Sequence, residues 1–252
     1  MLGIIGGSGA SGLAALEDSR RQVIRTPYGE PSGALTFGRL GGREAVFIAR
    51  HGYGHTIPPH AVNYRANIWA LASQGVRAIV SIASVGGIRA DLAPGVLAVP
   101  SQIIDYTYGR RSTFFDGADG QVRHIDFTEP YTPAVRQALL AAGAAAQEPL
   151  VDGGVYATMQ GPRLETAAEI DRLERDGADM VGMTGMPEAA LAREAAVPYA
   201  ALAVVANWAA GRGSSRAGIA LEDIGAVLAQ AMTRVARILM HLEVPDGGET
   251  GA

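Results

Sequence analysis

Met1-Leu-Gly-Ile-Ile-Gly-Gly-Ser-Gly-Ala-Ser-Gly12 opens the chain, a short apolar run that breaks into a glycine cluster in which Gly7 to Gly12 fit the pattern G-x-G-x-x-G. The dinucleotide reading of that pattern needs a second leg, an acidic residue about 20 positions further on at the end of another strand, to hold the ribose. Glu30 lies near that distance, but within the turn Tyr28-Gly-Glu-Pro-Ser32. What survives is more general. Glycines without a Cβ let backbone N–H groups crowd round an anion, and Ser8 adds a hydroxyl donor. The loop therefore reads either as a cradle for a single phosphate or as a tight turn with no ligand.

Outward from this loop, short apolar runs alternate with longer helical patterns. Leu2–Ile5, Ala34–Phe37, Ala45–Ala49, Ala78–Ile82, Val96–Val99, Val155–Thr158, Met180–Met183 and Tyr199–Ala206 are nearly continuously apolar, as strands buried on both faces are. Helices are predicted over Val62–Ser73, Pro133–Ala146, Thr166–Asp176, Glu188–Ala196 and Leu221–Leu242, the last with an unbroken apolar stripe. The pattern predicts one α/β domain over residues 1–244, a twisted central mixed sheet flanked by helices, followed by a flexible tail at 245–252. Gly109–Gly120 and Ala206–Arg216 interrupt the periodicity and are expected to be mobile loops.

Composition narrows the function classes. With 252 residues, 48% of them apolar, the chain can bury a full α/β core. A net charge of −4 without a long basic run gives nucleic acid or an anionic membrane no electrostatic footprint. The absence of cysteine removes disulfides, thiolate metal sites and cysteine nucleophiles, and suits a reducing compartment. No apolar segment reaches the roughly 18 residues needed to span a bilayer, and no signal peptide is evident, so a soluble cytoplasmic protein is expected.

Several strand ends carry chemistry. Arg50 and His51 follow an apolar strand, where open α/β sheets bind ligands; Arg50 could clamp an oxyanion bidentately or be an ordinary surface arginine. His55 and His60 lie nearby but lack the converging third and fourth ligands that a metal needs, so no metal is expected. Ser84 and Gly86 could present backbone donors and a flat wall. Glu165 is either a helix-start acid or a carboxylate facing a ligand. Asn207 is either a turn residue or an amide that reads a heterocycle edge, and Trp208 is either an aromatic lid over the pocket or, in the preferred reading, a packed loop residue.

Taken together, Gly6-Gly-Ser-Gly9, Arg50-His51, Val62-Asn-Tyr-Arg-Ala-Asn-Ile-Trp-Ala70, Gly86-Gly87, Gly161-Pro-Arg163 and Met183-Thr-Gly-Met-Pro-Glu188 resemble, in order along the chain, the trimeric purine nucleoside and 5′-methylthioadenosine phosphorylase family. The resemblance implies a homotrimer without metal or organic cofactor. It also implies phosphorolysis of a purine nucleoside, with inorganic phosphate as the second substrate. It assigns Ser8, Arg50, His51, Ser84 and Thr184 to phosphate, and Met183 to the ribose. Leu164, Glu165 and Asn207 take the base, with Gly86 near the purine plane, and His124 is expected to reach the 5′ end from a neighbouring subunit.

Two departures refine the expectation. The methylthioadenosine branch has an Asp at the position of Asn207, a second acid at that of Ala209 and a Ser at that of Glu165. Here Glu165 can accept from the N1–H of a 6-oxopurine while the Asn207 amide donates to O6 or N7, which suits hypoxanthine and mismatches adenine. Nucleoside phosphorylases of the family also place a His at the start of the C-terminal helix for a 5′-hydroxyl. This chain has Leu221 and Ile224 there, an apolar pocket suited to a methylthio group. The combination predicts 5′-methylthioinosine as substrate. The alternatives are inosine or guanosine, with a polar 5′ contact from His55 or His124; methylthioadenosine; and a nucleotide-binding sensor without catalysis.

Overall fold

The structure is a computed structural model and describes residues 1–10, 16–117 and 120–245. Ser11 and Gly12 of the opening motif, and 246–252 of the expected tail, lie outside the described residues. Among the described residues, eleven strands form one mixed sheet. They are β1 (Leu2–Gly6), β2 (Glu17–Gln22), β3 (Leu35–Leu40), β4 (Arg43–Ala49), β5 (Ala78–Gly87), β6 (Leu97–Val99), β7 (Gln102–Asp105), β8 (Val151–Asp152), β9 (Val155–Thr158), β10 (Met180–Gly182) and β11 (Tyr199–Trp208). The helices are α1 (Tyr64–Ala72), α2 (Pro133–Ala145), α3 (Ala167–Arg175), α4 (Glu188–Glu194) and α5 (Leu221–His241). Every helix predicted from periodicity is present. Among the described residues no helix is long and apolar enough to cross a membrane.

The central strands are buried on both faces because successive side chains point to opposite layers. Ile4, Phe47 and Val80 pack with the apolar stripe of α5 and with Val135 and Leu139 of α2. Their neighbours Ile5, Val46 and Ile79 pack with Ile68 of α1 and Leu191 of α4. Apolar runs therefore mark these strands. β2, β7 and β8 carry no such run and do not show in the pattern. β2 in particular, Glu-Asp-Ser-Arg-Arg-Gln, is an exposed edge whose charges discourage pairing with another chain.

A fork in the sheet creates the site. One edge of β5 pairs with β11 from Ile79 to Gly87. Its other edge pairs with β1 only through Ser81 and meets β10 only from Gly86, so among the described residues Ile82–Val85 has no partner strand on that side. β1, β4, β5 and β11 run parallel and end around this gap, where the ends of strands in an open α/β sheet leave a crevice.

Candidate active site

The crevice holds a cavity of about 620 Å³. At one end it is lined by Ser8, Arg50, His51, Ser84 and Thr184, residues drawn from four separate strand ends. The opening loop approaches so closely that a Cβ on Gly7 would sit 2.6 Å from the Ile82 carbonyl and 2.8 Å from Arg50 Nη1. Gly9, at φ +80°, adopts a turn conformation that side-chain-bearing residues avoid.

Arg50 corrects one expectation. It is 1% exposed, and its fork grips Glu188, itself 0% exposed, rather than waiting free for an oxyanion. Nε donates to Glu188 Oε1 at 2.8 Å and Nη2 to Oε2 at 2.9 Å, with Ser81 and Tyr199 hydroxyls donating to the same carboxylate. A guanidinium buried this deeply needs a counter-charge. Burial works to lower its pKa, but the Glu188 carboxylate prevails and holds Arg50 above the ordinary arginine value. Nη1 spends one N–H on the unpartnered Ile82 carbonyl at 3.1 Å, leaving its other N–H for the cavity. The sequence shows Glu188 only as part of a motif at a helix start; no local pattern announces its partner, 138 positions away.

His51 is neutral at neutral pH. Burial, then the adjacent Arg50 cation, push it down to about 4. Its Nδ1 lies 2.8 Å from the Ile57 carbonyl, to which a neutral ring donates, leaving Nε2 as an acceptor. Thr184 is held from behind by Tyr156, whose hydroxyl accepts from the Thr184 N–H at 3.3 Å.

At the other end the same cavity is lined by Gly86, Leu164, Glu165, Met183 and Asn207. The helix-start role considered for Glu165 is taken by another acid. Glu169 closes a capping box with Thr166 and pairs with Arg163 at 2.7 Å, which holds it down at about 2. Glu165 lies ahead of the helix, with Oε1 buried and, among the described residues, without a hydrogen-bond partner. Burial pushes its pKa up. Asn207 reaches the site through a β-bulge: pairing jumps from Val205↔Val85 to Asn207↔Gly86, and such an insertion re-aims a side chain. Its Nδ2 donates to the Trp208 carbonyl at 2.7 Å, which fixes the amide and leaves one N–H to give. Trp208 does not line the cavity; its indole lies against Gly213.

The apolar end differs from expectation in one residue. Ile224 lines the cavity, joined by Ile219 and Leu228, but Leu221 does not and is 63% exposed. Helical side chains lean over the turn that precedes them, and Leu221, as the first residue of α5, has none. Leu228 is legible in the apolar stripe, though only as a packing residue. His55 lines the cavity, whereas His124 is exposed and does not line it in this chain.

Described residues of both segments expected to be mobile make side-chain contacts with neighbouring helices. Thr113 Oγ1 and the Phe114 N–H both donate to Glu194, and Arg212 bridges to Asp171 and Glu174.

Residues 1–242 match the phosphorylase superfamily. The chain is 53% identical over 215 residues to the probable S-methyl-5′-thioinosine phosphorylase of Xanthomonas campestris pv. campestris, covering 85% of this chain and 86% of the relative. It is 46% identical over 215 residues to the 6-oxopurine nucleoside phosphorylase of Pyrococcus furiosus, covering 83% and 80% respectively. Among solved structures it superposes on methylthioadenosine phosphorylase from Schistosoma mansoni in complex with adenine with a TM-score of 0.89 at 33% identity, covering 95% of this chain and 89% of the other.

Proposed function

Because this chain belongs to the phosphorylase superfamily and is an enzyme of the nucleoside phosphorylase type, we propose that its substrate is S-methyl-5′-thioinosine, cleaved by inorganic phosphate to hypoxanthine and 5-methylthioribose 1-phosphate. The observation that carries this reading is the buried, unpartnered Glu165 Oε1 in the cavity that also holds the Asn207 amide. A buried carboxylate oxygen without a partner is costly until a donor arrives, and the N1–H of a 6-oxopurine is such a donor. Adenine presents a lone pair there, and a site built to hydrogen-bond its substrate can reject the mismatch by up to about 10⁴-fold.

Ile219, Ile224 and Leu228 support the sugar assignment. Burying a methylthio group against them gains about 0.8 kcal/mol per methylene-sized group, whereas a hydroxyl there loses its hydrogen bonds. His55 favours the second reading, inosine or guanosine, by offering a polar contact within the same cavity. The reading includes no metal or organic cofactor, a cytoplasmic location suited to a cysteine-free chain, and a homotrimer in which His124 covers the 5′ end of a neighbouring site.

In the reaction a phosphate oxygen bonds to C1′ as the C1′–N9 bond breaks, and the electron pair of that bond passes into the purine. The remaining Asn207 N–H, aimed at O6 or N7, meets charge that grows only as the bond breaks, so it stabilises the transition state more than the substrate. Phosphate, held by Ser8, Thr184, the Ser84 backbone and the last Arg50 N–H, faces the oxocarbenium-like sugar. Neutral His51 accepts a hydrogen bond at Nε2 from a protonated phosphate oxygen, and the departing purine anion takes a proton from solvent to become hypoxanthine.

Phosphate-dependent base release from methylthioinosine, inosine and methylthioadenosine, measured side by side, tests the proposal. Methylthioinosine should have the highest kcat/KM; equal or better turnover of methylthioadenosine overturns the base assignment, and of inosine the sugar assignment. Asn207→Asp should shift the methylthioadenosine to methylthioinosine ratio of kcat/KM upward by at least about tenfold. The ratio is the proper readout, since the new carboxylate also loses the bond to the Trp208 carbonyl and slows both reactions. An unchanged ratio removes Asn207 as the discriminator.

A further inference from the structure

The two halves of the cavity hang on separate loops. The segment 159–166, between β9 and α3, brings Leu164 and Glu165, and the segment 183–187, between β10 and α4, brings Met183 and Thr184. The β9–β10 ladder joins them only as far as the Met159 N–H, which donates to the Gly182 carbonyl at 2.8 Å. Beyond that point carbonyls on both loops need donors, and a single side chain from a third segment supplies four of them. Arg110 Nη1 donates to the carbonyls of Met183 at 2.8 Å and Met186 at 2.6 Å. Nη2 donates to those of Gln160 at 2.9 Å and Met159 at 3.3 Å, and Nε to the Gln160 side chain at 3.3 Å. Nη1 also donates to the Tyr64 hydroxyl of α1 at 3.2 Å, so the fork serves mainly the two loops, with no carboxylate among these partners. Arg110 itself does not line the cavity.

We infer that Arg110 is a positioning residue of this site: its guanidinium sets the loop that carries Glu165 against the loop that carries Met183 and Thr184, fixing the base edge relative to the sugar and phosphate floor before substrate enters. A planar fork of five donors is matched to this ring of carbonyls, and the point charge of a lysine is not. A displacement of about 1 Å in such a constellation can cost on the order of 10²-fold in rate. The inference rests on the reading of the cavity as a nucleoside site.

Arg110→Ala and Arg110→Lys are to be compared with the unaltered chain in four measurements. These are kcat and KM for methylthioinosine, the same for phosphate, the thermal midpoint, and hydrogen exchange of the ligand-free protein. Both variants, lysine included, should lose at least about tenfold in kcat. Exchange should rise together in 159–166 and 183–187, and guanidinium ion, but not ammonium, should restore part of the Arg110→Ala activity. A folded Arg110→Ala protein with unaltered kcat and KM overturns the inference. So does exchange that rises in one loop alone, or a loss of activity wholly matched by a lower thermal midpoint and not relieved by guanidinium. Should the unaltered chain release no base from any nucleoside, the substrate reading falls, and the paired exchange response alone decides the role of Arg110.

Discussion

Glu188→Ala should destabilise the protein by about 3–5 kcal/mol, because it leaves the Arg50 guanidinium, 1% exposed, without its counter-charge. For a chain of this size that corresponds to a fall in thermal midpoint of roughly 2–4 °C per kcal/mol. Two hydroxyls, from Ser81 and Tyr199, lose their acceptor at the same time. The pair as a whole is worth less than its breakage suggests, since two ions taken out of water must first recover the cost of desolvation. Arg50→Met combined with Glu188→Leu should therefore regain most of the stability lost in Glu188→Ala while leaving phosphorolysis severely impaired, because the guanidinium that satisfies the Ile82 carbonyl and faces the phosphate end is gone. Chemical denaturation of the three proteins checks the first point and steady-state rates the second. A cost below about 1 kcal/mol for Glu188→Ala would mean that water replaces the carboxylate and that the pair is not a sealed part of the core.

The same pair shows where sequence reading stops. Strands buried on both faces and amphipathic helices leave a periodic trace, so the doubly covered sheet, all five helices and the junctions that end in Ser8, Arg50, Ser84, Thr184 and Asn207 can be placed from the residues themselves. What a side chain does once placed depends on partners that periodicity cannot reach. Arg50 reads as a free clamp until Glu188 is met across the fold, and Arg110 lies in a glycine-flanked stretch that reads as mobile. Leu221 follows the helical stripe, yet the stripe says nothing of where the covered surface ends. β2 and β7 escape detection for a related reason: edge strands need no apolar run, so their sequence carries none.

Glu165→Gln should lower kcat/KM for methylthioinosine by roughly 10- to 150-fold, the range of about 1.5–3 kcal/mol that a hydrogen bond to a charged group contributes. The amide keeps one neutral acceptor, so Glu165→Ala should lose more. The pH dependence separates this role from a structural one. Burial raises the Glu165 pKa, so the native protein holds that proton more tightly than the unfolded chain does. The contribution of this group to stability is therefore fully present below the ordinary carboxylate range and is lost as pH rises through the raised value. Recognition has the opposite sign, because the ionised carboxylate accepts from N1–H more strongly than the protonated acid, whose remaining acceptor is neutral. As pH falls through the same value, the protonated form becomes a donor, suited to the N1 lone pair of adenine. The methylthioinosine to methylthioadenosine ratio of kcat/KM should decline accordingly on the acid side. Phosphate and His51 titrate too, but both act at the end of the site common to the two substrates, so the ratio cancels them. In Glu165→Gln the ratio should be flat across the same range. A ratio that declines equally in the unaltered protein and in the Glu165→Gln variant would assign the discrimination to another group and leave the buried carboxylate without a part in reading the base.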